Sequence, residues 1–177
     1  MALTKDTQFA NRYGLDLKIY ALGESTTPLL TIDFANVSNI EVSGDRTWAT
    51  GGQEHANKIG FNNPLQGTAT ISTQILTAEV LQLMSGGDLA GFAGPEVVFK
   101  NDSMTMPKYY TITAETVWQD AAGNIYDETM TFHKASAQRA FNISYSGEGD
   151  PLSVDIVLDL LQDDDGKVIT VTKAAHS

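Results

Sequence analysis

The sequence predicts a mainly β protein, an antiparallel two-sheet sandwich or small barrel with one short flanking helix. Three observations predict it. Apolar and polar residues alternate with period two along most of the chain. One segment, Thr77–Ser85, switches to helical spacing. Turns rich in Asp and Gly separate the alternating runs.

The elements follow in order. Leu15–Ala21 sets Leu15, Leu17 and Ile19 against Asp16, Lys18 and Tyr20. Leu29–Phe34 and Asn36–Ser43 read as two short strands. Gln66–Ile75 sets Ala69, Ile71, Thr73 and Ile75 against Thr68, Thr70, Ser72 and Gln74. The helix over 77–85 has Thr77 as its N-cap, because a hydroxyl there accepts from an orphan amide of the first turn. Val80, Leu81 and Met84 share its apolar face, and Gly86-Gly87 ends it. Val97–Lys100 is a short apolar piece. Tyr109–Trp118 carries the Thr, Tyr and Ile that suit a pleated surface. Ile125–His133 opposes Tyr126, Met130 and Phe132 to Asp127, Thr129, Thr131 and His133. Phe141–Ser146, Leu152–Leu161 and Lys167–Thr172 complete the set, with turns at 120–124, 147–151 and 163–166.

The 177 residues suit one domain over 1–177. The absence of cysteine excludes a disulfide framework, a thiolate metal site and a thiol nucleophile. Twenty-two acids against 11 bases give a formal net charge of -11. A protein that grips phosphate needs clustered Lys and Arg, so nucleic acid is not expected as a tightly held partner, nor is an anionic membrane. The polar start at Met1–Gln8 and the absence of a long apolar run predict a soluble product made in the cytoplasm. Two stretches lack alternation: an N-terminal arm, 1–11, and a long loop, 44–64. Trp48 and Phe61 in that loop are aromatic anchors in need of a surface to cover.

Catalytic chemistry finds no support, and no enzyme, metal or cofactor is expected. The three histidines, His55, His133 and His176, are scattered, and no nucleophile elbow occurs. Asp163-Asp164-Asp165-Gly166 fails the calcium-loop pattern, since its first and twelfth positions are Leu161 and Thr172. Asp155 and Asp159 share a strand face roughly 13 Å apart, too far for a pair of glycosidase carboxylates. The polar faces are more informative. Thr68, Thr70, Ser72 and Gln74 form one stripe, Asn142, Ser144 and Ser146 another, and Ser153, Asp155 and Asp159 a third. Solvated strands usually carry lysine to guard their edges. These carry none, and a smooth polar to acidic face suits a surface past which a polyanion slides.

On these residues the chain resembles the tail tube proteins (major tail proteins) of long-tailed bacteriophages. The carriers are the strand and helix pair from Asn63-Pro64-Leu65-Gln66 to Leu81-Gln82-Leu83-Met84, the end from Phe141-Asn142-Ile143-Ser144 to Leu158-Asp159-Leu160-Leu161, and the long polar loop before them. The resemblance implies a structural protein of the virion tail. It implies six copies in a ring, rings stacked into a hollow tube, and DNA passing through without specific binding. Tape measure, terminator and baseplate or tip proteins would be its other partners. Mapped onto this chain, the lumen-facing residues would be Thr68, Thr70, Ser72, Asn142, Ser144, Asp155 and Asp159. Trp48, His55 and Phe61 would make inter-subunit contacts. Two other readings compete. One is an inner-tube or tip component of a contractile injection system. The other is a monomeric β-sandwich binding module, for carbohydrate for example, with Trp48, Trp118, Tyr109, Tyr110 and Tyr126 as its aromatic candidates.

Overall fold

A computed structural model describes residues 9–11, 15–44, 46–51, 56–74, 76–100, 106–139, 142–144 and 153–176. The strands in chain order are β1 (Phe9–Asn11), β2 (Leu15–Ala21), β3 (Leu30–Ser43), β4 (Arg46–Gly51), β5 (Ala56–Asn62) and β6 (Gln66–Thr73). After the helix α1 (Ala78–Met84) come β7 (Tyr110–Asp120), β8 (Ile125–Ala137), β9 (Asn142–Ser144), β10 (Ser153–Leu161) and β11 (Ile169–Ala175). The protein is mostly β, as the alternation predicts.

Every strand pairing is antiparallel. The main sheet runs β1-β7-β2-β3-β6-β10-β8-β11, with β9 on β10 and a further pairing of β7 with β8. It bends around its core into two walls. The first half of β3 pairs with β2 and the second half with β6, across a bulge between Val37 and Asn39. One strand therefore turns the corner between walls, as bulged strands do. The first wall holds residues 36–43 of β3, then β6, β10 and β9. The second holds the start of β3, then β2, β7, β8, β11 and β1. At the opposite corner β8 changes partner, pairing with β11 over 126–132 and with β10 over 134–137. That split seam makes a bent sheet rather than a regular closed barrel.

The inward faces form one apolar cluster. Leu17, Ile19, Ile71, Ile112, Phe132, Ile156 and Leu158 are each no more than 3% exposed. The alternation marks these positions in advance, since a half-buried strand needs every second side chain in the core. The helix adds Val80, Leu83 and Met84. Leu83 takes the place expected of Leu81, which is only half-buried. The hydroxyl of Thr77 accepts from the Val80 amide at 3.3 Å, so the predicted N-cap is present. At the other end Gly86 takes φ +76°, and the Gly86 and Gly87 amides donate to the Leu83 and Gln82 carbonyls. This left-handed ending favours glycine. Gly67 serves a different need: a Cβ there would lie 2.7 Å from the Glu41 carbonyl oxygen, so β3 and β6 approach closely at that point.

Four expectations change. The segment 44–64, expected as a loop, contains the hairpin β4–β5, a two-stranded sheet separate from the main one. Among the described residues no strand of the main sheet pairs with it, so the main sheet's register imposes no period of two on its sequence. The two short strands expected over 29–43 are one strand of 14 residues, because the bulge shifts the pattern without ending the ladder. Val97–Lys100 is irregular, and Val98 and Phe99 are 55% and 44% exposed. The expected arm also contains a strand, β1, which pairs with the end of β7. Residues 1–8 lie outside the described residues.

Candidate functional site

The outer face of the first wall brings the three sequence stripes together. Partners across an antiparallel ladder share a face, so the register assigns each row. Glu41, Thr68, Asp159 and Ser136 form one row. Asn39, Thr70 and Val157 form the next. Ser72, Asp155 and Asn142 form the third, and Ser144 lies opposite Ser153. Thr68, Thr70, Ser72, Asn142, Ser144, Asp155 and Asp159 therefore hold register positions on one side of three adjacent strands. The opposite residues, Ala69, Ile71, Val154, Ile156, Leu158 and Leu160, fill the core.

The acids on this face are held in place. The Ser72 hydroxyl donates to Asp155 Oδ1 at 2.6 Å. The Gln138 amide donates to Asp159 Oδ1 at 2.7 Å. The first bond crosses between β6 and β10, the second comes from the residue just past the end of β8, and both fix the carboxylates on the sheet as acceptors. No lysine or arginine occurs on β3, β6, β9 or β10. A negative potential on the face is thus unopposed by its own strands. A depression of 660 Å³ opens at one end, lined by Glu41, Thr68, Tyr109, Ser136, Asp159 and Leu161 among others.

Sequence reasoning missed Glu41, Asn39, Ser136 and Gln138. The signal for the first two was present, because Asn39 and Glu41 alternate with Ile40 and Val42. Ser136 and Gln138 lay beyond the expected end of their strand, which runs on from His133 to Ala137.

The outer face of the second wall is threonine-rich. Thr113, Thr131 and Thr170 form one row, and Glu115, Thr129 and Thr172 the next. Lys18 donates to Glu115 at 2.7 Å, and that bond raises the ammonium above its ordinary range. Asp120 and Asp163 each cap a hairpin turn. Asp120 accepts from the Ala122 and Asn124 amides, and Asp163 from the Asp165 and Lys167 amides. Both carboxyls lie below the usual carboxylate range, Asp120 chiefly through the Asn124 side chain and Asp163 chiefly through the Lys167 amide.

The inter-subunit candidates are placed by backbone alone. Trp48 lies on β4 opposite Gly60, and Phe61 lies on β5 opposite Thr47. His55 is outside the described residues. The aromatic candidates with described side chains, Tyr109, Tyr110, Trp118 and Tyr126, do not form one exposed platform for a sugar. Tyr110 and Tyr126 are buried. The Lys134 ammonium sits 5.0 Å above the Tyr109 ring, and that of Lys173 sits 4.3 Å above Trp118. Among the described residues, no three His, Asp or Glu side chains group as metal ligands, and no helix is long and apolar enough to cross a membrane.

No protein-family model and no curated protein matches the chain. Solved structures do. One is a chain of the anti-feeding prophage baseplate, determined by electron cryo-microscopy with six-fold symmetry imposed. The two are 11% identical, align over 97% of each chain, and superpose with a TM-score of 0.56. At that identity the likeness is one of fold, and it extends over nearly the whole chain.

Proposed function

We propose that this protein is a structural subunit of a phage-type tail: six copies close into a ring, and rings stack into a hollow tube that conducts DNA. The observation that carries the proposal is the first wall. It has four strands, and among the described strands nothing pairs with the outer side of β3 over 36–43 or with the outer side of β9. Four alternating strands leave β3 and β9 running in opposite directions. The β3 of the next copy can therefore add to β9 with antiparallel polarity, and the same step repeats around a ring. Six copies with strands about 4.8 Å apart, tilted about 40°, give a backbone circle roughly 48 Å across. Side chains on both sides still leave room for a duplex.

The chemistry of the face supports the same reading. DNA carries one charge per roughly 1.7 Å of axis, and a basic lumen would hold it. Hydroxyls, amides and tethered carboxylates repel it or leave it mobile. In this reading the β4–β5 hairpin contacts a neighbouring copy, because an isolated two-stranded sheet is marginal alone. Tape measure, terminator and tip proteins are the remaining partners, and no catalytic step is assigned. The baseplate likeness favours a second reading within the same class, an inner-tube or tip component of a contractile injection system.

Negative-stain electron microscopy across a concentration series, with light scattering alongside, tests the proposal. Rings or filaments of uniform width are expected. Deletion of Gly51–Asn57 is expected to leave a folded monomer that does not polymerise. A parent chain that stays monomeric at every concentration defeats the self-assembling reading and makes a glycan screen the next assay. A separate expectation concerns the face itself. Asp155→Lys with Asp159→Lys swings the lumen by four charges per copy. Assembled tails carrying both should eject DNA more slowly, by about tenfold or more at low salt, with the difference shrinking as salt rises. Unchanged ejection kinetics would remove these residues from the lumen.

A further inference from the structure

The edge strand β11 differs from the other long strands in how it is attached. Its ladder on β8 is complete from Ile169 to Ala175. Its side chains, however, bury almost nothing. Thr170, Val171, Thr172, Ala174 and Ala175 are exposed, and Val171, on the inward side, is 49% exposed. Only Ile169 packs against the core, next to the buried Val168 that precedes the strand. By contrast β10 buries Val154, Ile156, Leu158 and Leu160, each at 2% exposure or less.

Polar fastenings take the place of burial, and they are spaced along the strand. At its start His133 of β8 lies 2.7 Å from the Thr170 hydroxyl through Nε2, and 3.5 Å from Asp163 through Nδ1. Midway, the Lys173 ammonium lies 2.9 Å from Glu128 and also over the Trp118 ring. Just past its end, His176 Nδ1 lies 2.6 Å from Asp127 Oδ1. Two of the chain's three histidines are thus used to hold one strand, one at each end. The His176–Asp127 contact is exposed and exchanges readily for water, whereas buried apolar side chains do not. The middle pair, with Glu128 buried, is the least exposed of the three.

From this arrangement we infer that β11 is a strap: it leaves β8 and returns as a unit while the two-walled body stays folded. Local opening is governed by the apolar contact a segment must give up, and β11 gives up little. When it leaves, β8 over 126–132 keeps β7 on one edge, exposes the other edge, and the Glu128–Lys173 pair separates. The acid-capped turn at Asp163 is the hinge, because its amide hydrogen bonds lie within 163–167 and its contact to His133 of β8 anchors it to the body while β11 opens.

Hydrogen exchange of the full chain, read by peptide at one fixed pH, tests this. Amides of 169–175 should exchange about a hundredfold faster than those of 67–73 and 154–160. Thr170→Ala with His176→Ala removes the end fastenings and should accelerate 169–175 further while leaving the body's exchange unchanged. Glu128→Leu with Lys173→Met replaces the middle pair by apolar contact and should slow it. Protection of 169–175 equal to that of β6 and β10, in the parent or in the Thr170/His176 variant, would mean that β11 opens only with global unfolding and would overturn the inference. So would acceleration that spreads equally to the body.

Discussion

Phe132→Ala is expected to destabilise the fold by about 3–5 kcal/mol, the range for removing a fully enclosed aromatic side chain. Phe132 is completely buried and lies opposite Ile112 on β7 and Ile169 on β11. It also sits immediately before the point where β8 exchanges β11 for β10. A cavity there is bordered by both walls and cannot collapse without moving one of them. Whole-domain stability is of order 5–15 kcal/mol, so the loss is a large part of it. For a chain of this length it corresponds to a melting point lower by roughly 6–20 °C. Thermal denaturation of the variant beside Thr129→Ala, on the outer face of the same strand, checks it. Thr129→Ala should stay within about 0.5 kcal/mol of the parent. Equal melting points for Phe132→Ala and the parent would contradict the burial of this ring.

Gly67→Val should separate the first wall at one row. A Cβ at this position meets the Glu41 carbonyl at 2.7 Å and Val42 Cγ2 at 2.9 Å. The first of these is backbone in the middle of a ladder, so no rotamer change relieves it. Overpacking of this sort costs about 1–3 kcal/mol. The consequence for the proposed tube is greater than that cost suggests. Displacing β3 from β6 moves the very edge that the next copy must pair with. The variant is expected to remain folded by far-ultraviolet circular dichroism, with a lower urea midpoint, and to fail in ring formation. Normal rings with a normal urea midpoint would mean that β3 and β6 are not so close.

The walls were legible because their physics is local. In Leu15–Ala21 and Leu152–Leu161 each residue's side of the sheet follows from its parity, and the core that results is the one expected. The Thr77 cap and the Gly86 ending were legible for the same reason, since each depends on a few neighbouring residues. The hairpin β4–β5 was not legible, because it takes no register from the strands of the main sheet. Nor could the sequence reveal that β3 serves both walls: the bulge at Val37–Asn39 looks, in one dimension, like a break between two strands. The candidate face was legible as three stripes. That they lie side by side is a matter of register, which pairs Ser72 with Asp155 across 83 residues of chain. Glu41 joins them because β3 pairs with β6 over 36–43, which sets it opposite Thr68.

The same long-range pairing constrains how the chain is made. Lys18 finds Glu115 at a separation of 97 residues, and β6 finds β10 across 83. Of the main sheet's long strands, β7 and β8 alone form a pair joined by a tight turn. A ribosome releases the N-terminal third of this protein long before its partners exist. Until about residue 137 has emerged, β2, β3 and β6 have apolar faces and no completed wall to close against, and β6 lacks its partner β10 until about residue 161. Such a chain folds late and slowly, because distant contacts must be closed before they are rewarded. During synthesis it exposes the kind of edge that aggregates. Its yield in a cell should therefore respond to translation temperature and chaperone supply far more than its final stability would suggest.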